Sequence, residues 1–342
     1  MMRDEQTVGV GIWGMGKSVP DKVLTNEDLE QMVDTSDEWI RTRTGIAERR
    51  IVDEDTATSH LATDAAEQAL ESAGLEGFQL DLILVATVTP DMDFPATACL
   101  LQDRLGAENA AAFDLGAGCS GFVYGLATAH HFIMTGAADH VLVVGAEVLS
   151  KITDWDDRST CVLFGDAASA AVLGPCESPA GIMSTYLGAD GSGGKHLKLP
   201  AGGSLRPTSE QTLQDRLHYI KMNGREVFKF AVRAMGDAAT GAVHRACLDL
   251  DDIELYIPHQ ANIRIIESSA KRLGISMDRV FVNLDKYGNT SSASVPLALT
   301  EACEEGMLES GTNVLMVAFG AGLTWGAATL KWMGDNERLE GN

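Results

Sequence analysis

The feature that most constrains this chain is a pattern that occurs twice. Arg104-Leu105-Gly106 leads through a strand-like run to Cys119, a helical stretch and Val141-Leu142-Val143-Val144. Arg272-Leu273-Gly274 leads in the same way to Asn289, a helical stretch and Val314-Leu315-Met316-Val317. Upstream of each copy, a helix and a strand end at Thr89-Pro90 and at Pro258-His259. Repetition of a supersecondary unit predicts copies that pack on one another. The pattern therefore predicts two similar α/β halves, residues 1–178 and 179–342, with Cys119 and Asn289 in roughly equivalent places just before a helix.

Apolar periodicity supports this. Helices are predicted over residues 61–73, 120–135, 225–247 and 293–308, and each precedes a strand, at 81–88, 140–145, 255–258 and 313–319. A further strand is predicted at 111–115, just before Cys119. Alternation of this kind predicts mostly parallel, buried sheets with helices on both faces. Ligands of open α/β sheets bind beyond the carboxyl ends of the strands. Packing of the halves about a pseudo-twofold would bring Cys119, His259 and Asn289 into one pocket. Residues 191–217, rich in Gly, Ser, Pro and Thr, are predicted to form a loop, either a lid or a surface insertion.

Composition narrows the function. The chain carries 49 acidic against 26 basic residues, a net charge of −23, which disfavours nucleic acid as a partner. The six cysteines form no C-x-x-C pair, so reduced thiols in a cytosolic protein are expected, without a disulfide frame or a metal site. Residues 1–6 are too polar for a signal peptide, and no apolar run reaches the length of a membrane span.

Cys119 stands in Gly116-Ala117-Gly118-Cys119-Ser120-Gly121, small residues that let a substrate approach the backbone. A thiol at a helix N-terminus can have its pKa lowered toward neutrality. His259 and Asn289 supply two neutral hydrogen-bond donors, the means to hold an enolate or oxyanion. None of these three patches contains Asp or Glu, so a reaction that generates its carbanion by losing CO2 fits best. A Gly-rich turn, Phe319-Gly320-Ala321-Gly322, would add backbone donors. The glycines between residues 9 and 16 lack the acidic partner and helix of a dinucleotide site. Trp39, Arg41 and Arg43 offer an indole and two guanidiniums for a purine and phosphate, or else Trp39 is core packing behind an N-cap at Ser36. Arg225, Lys229 and Arg233 recur every fourth residue, and Arg264, Lys271 and Arg272 follow His259. In so acidic a chain they form either a solvated face or a dock for an acidic carrier protein.

These patches, with Leu163-Phe164-Gly165-Asp166 and Asn223-Gly224-Arg225-Glu226, resemble β-ketoacyl-acyl carrier protein synthase III, the initiating condensing enzyme of type II fatty acid synthesis. The resemblance implies a thiolase-like α/β fold, two duplicated halves in a five-layered αβαβα arrangement, and a cytoplasmic homodimer. It implies acyl-CoA and malonyl-acyl carrier protein as substrates, with no resident cofactor. By position, Cys119 would take the acyl group, while His259 and Asn289 would hold the malonyl thioester. Gly320, Ala321 and Gly322 would help hold the oxyanion, and Phe319 would line the site. Thr35, Trp39, Arg43, Arg158 and Gly224 would bind CoA. Lys229, Arg264, Lys271 and Arg272 would dock the carrier protein, and Phe94 would reach the partner's acyl pocket. Gly320-Ala321-Gly322 departs from the three glycines of many members but keeps the backbone donors. A biosynthetic thiolase would need a second cysteine in that turn, and an elongating synthase a histidine at 289. An acyltransferase of secondary metabolism on the same scaffold is the alternative.

Overall fold

The computed structural model describes residues 8–339; residues 1–6, read above as too polar for a signal peptide, lie outside that range. Two mixed sheets organise the chain. In the first, the order is Val8–Ser18, Ala167–Glu177, Val141–Glu147, Leu82–Ala86 and Ala111–Leu115. In the second it is Gly181–Ala189, Thr324–Lys331, Asn313–Gly320 and Leu255–Pro258. In both, the first two pairings are antiparallel and the next parallel. The sheets thus repeat one another, and they are not the mostly parallel sheets expected from the alternation. Three residues link Asn313–Gly320 to Thr324–Lys331, and so short a connection can join only antiparallel neighbours.

The second copy is incomplete at one edge. The place held by Ala111–Leu115 in the first sheet is occupied in the second by a single parallel bridge, Tyr256 to Val280. The predicted strand ahead of Asn289 goes no further, because the Asn283 N–H donates to the Gln260 side chain at 3.1 Å instead of to a ladder.

Alternating residues of each strand enter different cores, as a pleat buried on both faces requires. Leu82 and Leu84 face the helices Gly121–Met134 and Ser294–Glu304 between the sheets. Ile83 and Val85 face the outer helix Thr58–Ala73. Across the second sheet, Leu315 and Val317 meet Gly224–Arg245 and Ile263–Leu273. The result is the five-layered αβαβα arrangement. The glycine-rich start serves packing: a Cβ on Gly14 would lie 2.3 Å from the Ala69 carbonyl oxygen, and one on Gly16 2.2 Å from that of Ala65.

Residues 191–217 are more ordered than a simple loop. They contain a 3-10 turn, Gly191–His196, a two-residue strand, Leu197–Lys198, and a helix, Glu210–Gln214. The strand pairs with Lys221–Met222. The Asp154 carboxylate anchors the far end through Arg216 and through Lys221 at 3.1 Å, and the Arg216 contact foremost holds its pKa down to about 2.

Candidate active site

Cys119 is presented by a tight turn. The strand Ala111–Leu115 ends, the 3-10 turn Gly118–Ser120 follows, and the helix Gly121–Met134 begins. Gly118 has φ +55°, which glycine adopts without penalty. The hairpin tip of the other half lies directly on this turn. A Cβ on Gly118 would lie 2.7 Å from the Ala321 nitrogen, and one on Gly320 2.3 Å from the Cys119 nitrogen. The Thr324 hydroxyl donates to the Ala117 carbonyl at 2.7 Å and lies 2.8 Å from the Ser120 hydroxyl. The Gly-rich patches noted in the sequence are therefore one assembly, with no room for a Cβ at Gly118 or Gly320.

The thiol opens onto an apolar cavity of about 190 Å³ walled by Val88, Leu149, Ile152, Phe164, Leu199 and Ile220. Burial pushes its pKa up to about 12; hydrogen bonds from Ser291 and from its own backbone N–H pull the other way, and the charge of Glu147 adds to the rise. The lowered pKa expected from a helix N-terminus is therefore not what the site shows. The cysteine sits in a tight turn ahead of the helix, and loss of water is the largest influence on its thiol.

His259 follows the strand Leu255–Pro258 and is fully enclosed. Burial pushes its pKa down to about 3, so the ring is neutral. Its Nδ1 lies 2.5 Å from the Ser294 hydroxyl oxygen. That oxygen also accepts from the Gln260 N–H at 3.5 Å, which turns the Ser294 proton toward Nδ1. The ring proton then sits on Nε2, a buried atom without a partner. Phe319 stands edge-on to the ring, centroids 5.3 Å apart. Asn289 is fixed by a parallel bridge to Phe164, and its Oδ1 accepts from the Ser291 N–H at 2.9 Å. That contact leaves the amide NH2 as the outward donor. The segment 289–294 thus joins all three predicted residues: Asn289 itself, Ser291 to Cys119, and Ser294 to His259.

Several of the residues that the resemblance assigns to CoA also meet. Trp39 packs against the core on one side. The guanidinium of Arg158 lies 4.9 Å from its ring centroid and that of Arg43 5.7 Å. Trp39 thus packs against the core behind an N-cap at Ser36, as one of the two readings expected. The Thr35 hydroxyl beside them is buried and without a partner. Gly224 opens the helix Gly224–Arg245, capped by Asn223. Lys229, Arg264, Lys271 and Arg272 are exposed on the packed helix pair, with Lys229 paired to Glu226 and Arg272 to Asp237 at 2.8 Å each. Phe94 is 84% exposed and is not part of the cavity lining.

Three site residues escaped the sequence reading: Ser291, Ser294 and Glu147. The first two sit in a visible serine-rich run after Asn289. Glu147 gives no local signal, since it lies 28 residues after Cys119 in sequence and reaches the site only through the sheet.

Known proteins match this chain over nearly its full length. The family model 3-oxoacyl-[acyl-carrier-protein (ACP)] synthase III matches residues 113–191, and its C-terminal counterpart residues 243–332. A beta-ketoacyl-[acyl-carrier-protein] synthase III of Caldanaerobacter subterraneus subsp. tengcongensis is 59% identical over 327 residues, covering 96% of this chain and 99% of that protein. The protein of the same name from Natranaerobius thermophilus is 58% identical over 324 residues, covering 94% and 98%. The crystal structure of 3-oxoacyl-[acyl-carrier-protein] synthase III from Aquifex aeolicus superposes with a TM-score of 0.88 at 49% identity, covering 95% of this chain and all of that one.

Proposed function

The chain belongs to the β-ketoacyl-acyl carrier protein synthase III family, and on that premise we propose that it performs the initiating condensation of fatty acid synthesis. An acyl-CoA primer and malonyl-acyl carrier protein give 3-oxoacyl-carrier protein, CO2 and CoA. The observation that carries this reading is the meeting of the cavity-lining Cys119 thiol with two neutral donors, His259 and Asn289, that come from two separate segments of the opposite half.

Cys119 takes the acyl group from CoA as a thioester. The malonyl thioester then enters, and its carbonyl oxygen lies between His259 Nε2–H and the Asn289 amide. As CO2 leaves, these donors hold the enolate oxygen, and the carbanion attacks the acyl-Cys119 carbonyl. The backbone at Cys119 and the turn Gly320, Ala321, Gly322 would hold the resulting oxyanion. A neutral imidazole suits this role, because no step needs His259 to give up its proton. Trp39, Arg158, Arg43, Thr35 and Gly224 form the CoA approach, with adenine sandwiched between Trp39 and Arg158. The exposed face of Arg264, Lys271, Arg272 and Lys229 docks the acidic carrier protein by charge. CoA and carrier protein are substrates, and the chemistry uses no resident cofactor.

The dimer fits the other face. Ala111–Leu115 is an edge strand, and Phe78, Met92, Phe94 and Phe113 are exposed large apolar side chains in the same part of the chain. A second copy would cover both the open edge and this surface. The six cysteines, all free, suit a reducing cytoplasm.

The test is intact-mass analysis with a panel of acyl-CoAs, then malonyl-carrier protein. An adduct on Cys119 that disappears as 3-oxoacyl-carrier protein forms is the expected result. Loading without a carbon–carbon product would instead indicate transfer to oxygen or nitrogen, the acyltransferase alternative.

A further inference from the structure

Glu301 is a buried carboxylate that the chemistry above leaves unused. It lies on the helix Ser294–Glu304, about two turns beyond Ser294, the partner of His259. Its neighbours Leu297, Ala298 and Ala302 on that helix are buried and apolar. One Glu301 oxygen accepts from the Tyr287 hydroxyl at 2.5 Å and from the Lys17 ammonium at 3.3 Å. The other accepts from the Asn283 side-chain amide at 3.0 Å, with the Lys286 ammonium 4.0 Å away.

Asn283 precedes and Tyr287 ends the short helix Leu284–Tyr287, just ahead of Asn289. Glu301 therefore grips this helix at both ends. The link from Tyr287 to Asn289 is stiff. Gly288 has φ +64°, and a Cβ on it would lie 2.7 Å from the Leu163 carbonyl oxygen. The Asn289 N–H donates to that same oxygen at 2.8 Å. A shift of Tyr287 is thus passed on to Asn289.

The other end of the short helix leads to His259. The Asn283 N–H donates to the Gln260 side-chain oxygen at 3.1 Å. The Gln260 amide in turn donates to the Pro258 carbonyl at 2.8 Å and to the Phe281 carbonyl at 3.1 Å. Pro258 and Gln260 flank His259, so this buried network fixes its backbone. Glu301 joins the carrier of one donor to the carrier of the other. A buried charge is costly, and apolar residues often serve stability as well. What the carboxylate adds here is geometry.

We propose that Glu301 is a positioning residue for decarboxylation: through Tyr287 and Asn283 it sets the spacing between the His259 Nε2–H and the Asn289 amide. The inference rests on the condensing reading above and deepens it. Two donors serve one oxygen only when both stand about 2.7–3.1 Å from it. Loading of Cys119 does not use this pair, so it does not depend on Glu301.

The test is decarboxylation of malonyl-carrier protein by the full-length protein, with kcat and KM measured separately, beside acyl loading of Cys119 read by intact mass. Tyr287→Phe removes one donor to Glu301 and keeps the ring, and Asn283→Ala removes the other. Glu301→Gln keeps the volume but replaces one acceptor oxygen with a donor. Each should lower kcat for decarboxylation roughly 10-fold, less than the ~10²-fold cost of a 1 Å misplacement, with KM and loading within about twofold of wild type. Lys17→Met removes a cation from Glu301 and leaves both donor contacts, so it should decarboxylate as wild type does, whatever its melting temperature. On an Asn289→Ala background Tyr287→Phe should cost nothing more, since no amide is left to place.

A wild-type kcat in Tyr287→Phe and Asn283→Ala overturns the proposal. So does a parallel fall in loading, a matching fall in Lys17→Met, or a full further loss from Tyr287→Phe on the Asn289→Ala background, because each marks a contribution to stability alone. A wild type that loads Cys119 yet never decarboxylates malonyl-carrier protein sinks the condensing reading itself, and the positioning role with it.

Discussion

The turns Gly118–Ser120 and Ser291–Ala293 are built alike. Each is a 3-10 turn that runs directly into a helix lying between the sheets. Each opens on a residue at positive φ, +55° at Gly118 and +49° at Ser291. The second residue is Cys119 in one and Ser292 in the other, so the counterpart of Cys119 is Ser292 and not Asn289, which the repeat had paired with it. Duplication therefore provides two equivalent positions, and side chains give them different tasks. The first turn keeps glycine where the hairpin tip presses and offers a nucleophile. The second accepts backbone strain at Ser291, which lines the Cys119 cavity, while Ser292 holds Glu147 and Ser294, just beyond the turn, holds His259.

The comparison breaks most sharply at the second residue. Cys119→Ala should abolish the acyl adduct altogether, read by intact mass. Ser292→Ala, at the matching place, should still load but lose about 1–3 kcal/mol of stability, because Glu147 and the Ala86 carbonyl both lose the Ser292 hydroxyl. Denaturant unfolding would show it, and an unchanged midpoint would count against the paired-turn account.

The next effect belongs to the donors that the second turn positions. His259→Ala or Asn289→Ala should slow decarboxylation by about 10²–10³-fold, ~2.7–4 kcal/mol, while Cys119 still loads.

A smaller effect concerns acid stability. The His259 pKa is depressed to about 3 by burial, below the unfolded value of about 6.5. The unfolded chain therefore binds one more proton between these values, and stability is lost as pH falls through that window. The loss is ~1.4 kcal/mol per pH unit from this group, fully recovered above about pH 6.5. Melting curves of His259→Gln should lose that part of the slope.

The smallest effect separates the two strained positions. Ser291→Ala should be about 1 kcal/mol less stable than Ser291→Gly, since alanine keeps the left-handed strain and glycine removes it. Gly118→Ala should cost more than that difference, because its Cβ would also press on Ala321. Equal stabilities for the two Ser291 variants would show that the turn is not strained.

Much of this was legible in the sequence because the signals are local. The repeated helix–strand pattern carried the two halves. Small residues around Cys119, the strand end before His259 and the turn before Asn289 marked the reactive groups. Periodicity of two and of 3.6 is set by neighbours along the chain. Sheet polarity was not legible, because it depends on which strands become neighbours, and the bridge at Val280 fails as a strand only because Gln260 captures Asn283.

The sequence by itself determined which atoms can react: one thiol, one imidazole, one amide and a glycine turn. Only the tertiary structure decided their state. Burial sets the Cys119 thiol high and the His259 ring neutral, and it places Glu147 against Ser292 across 145 residues of chain. Desolvation and long-range hydrogen bonding belong to the packed interior, where water is gone and partners come from both halves.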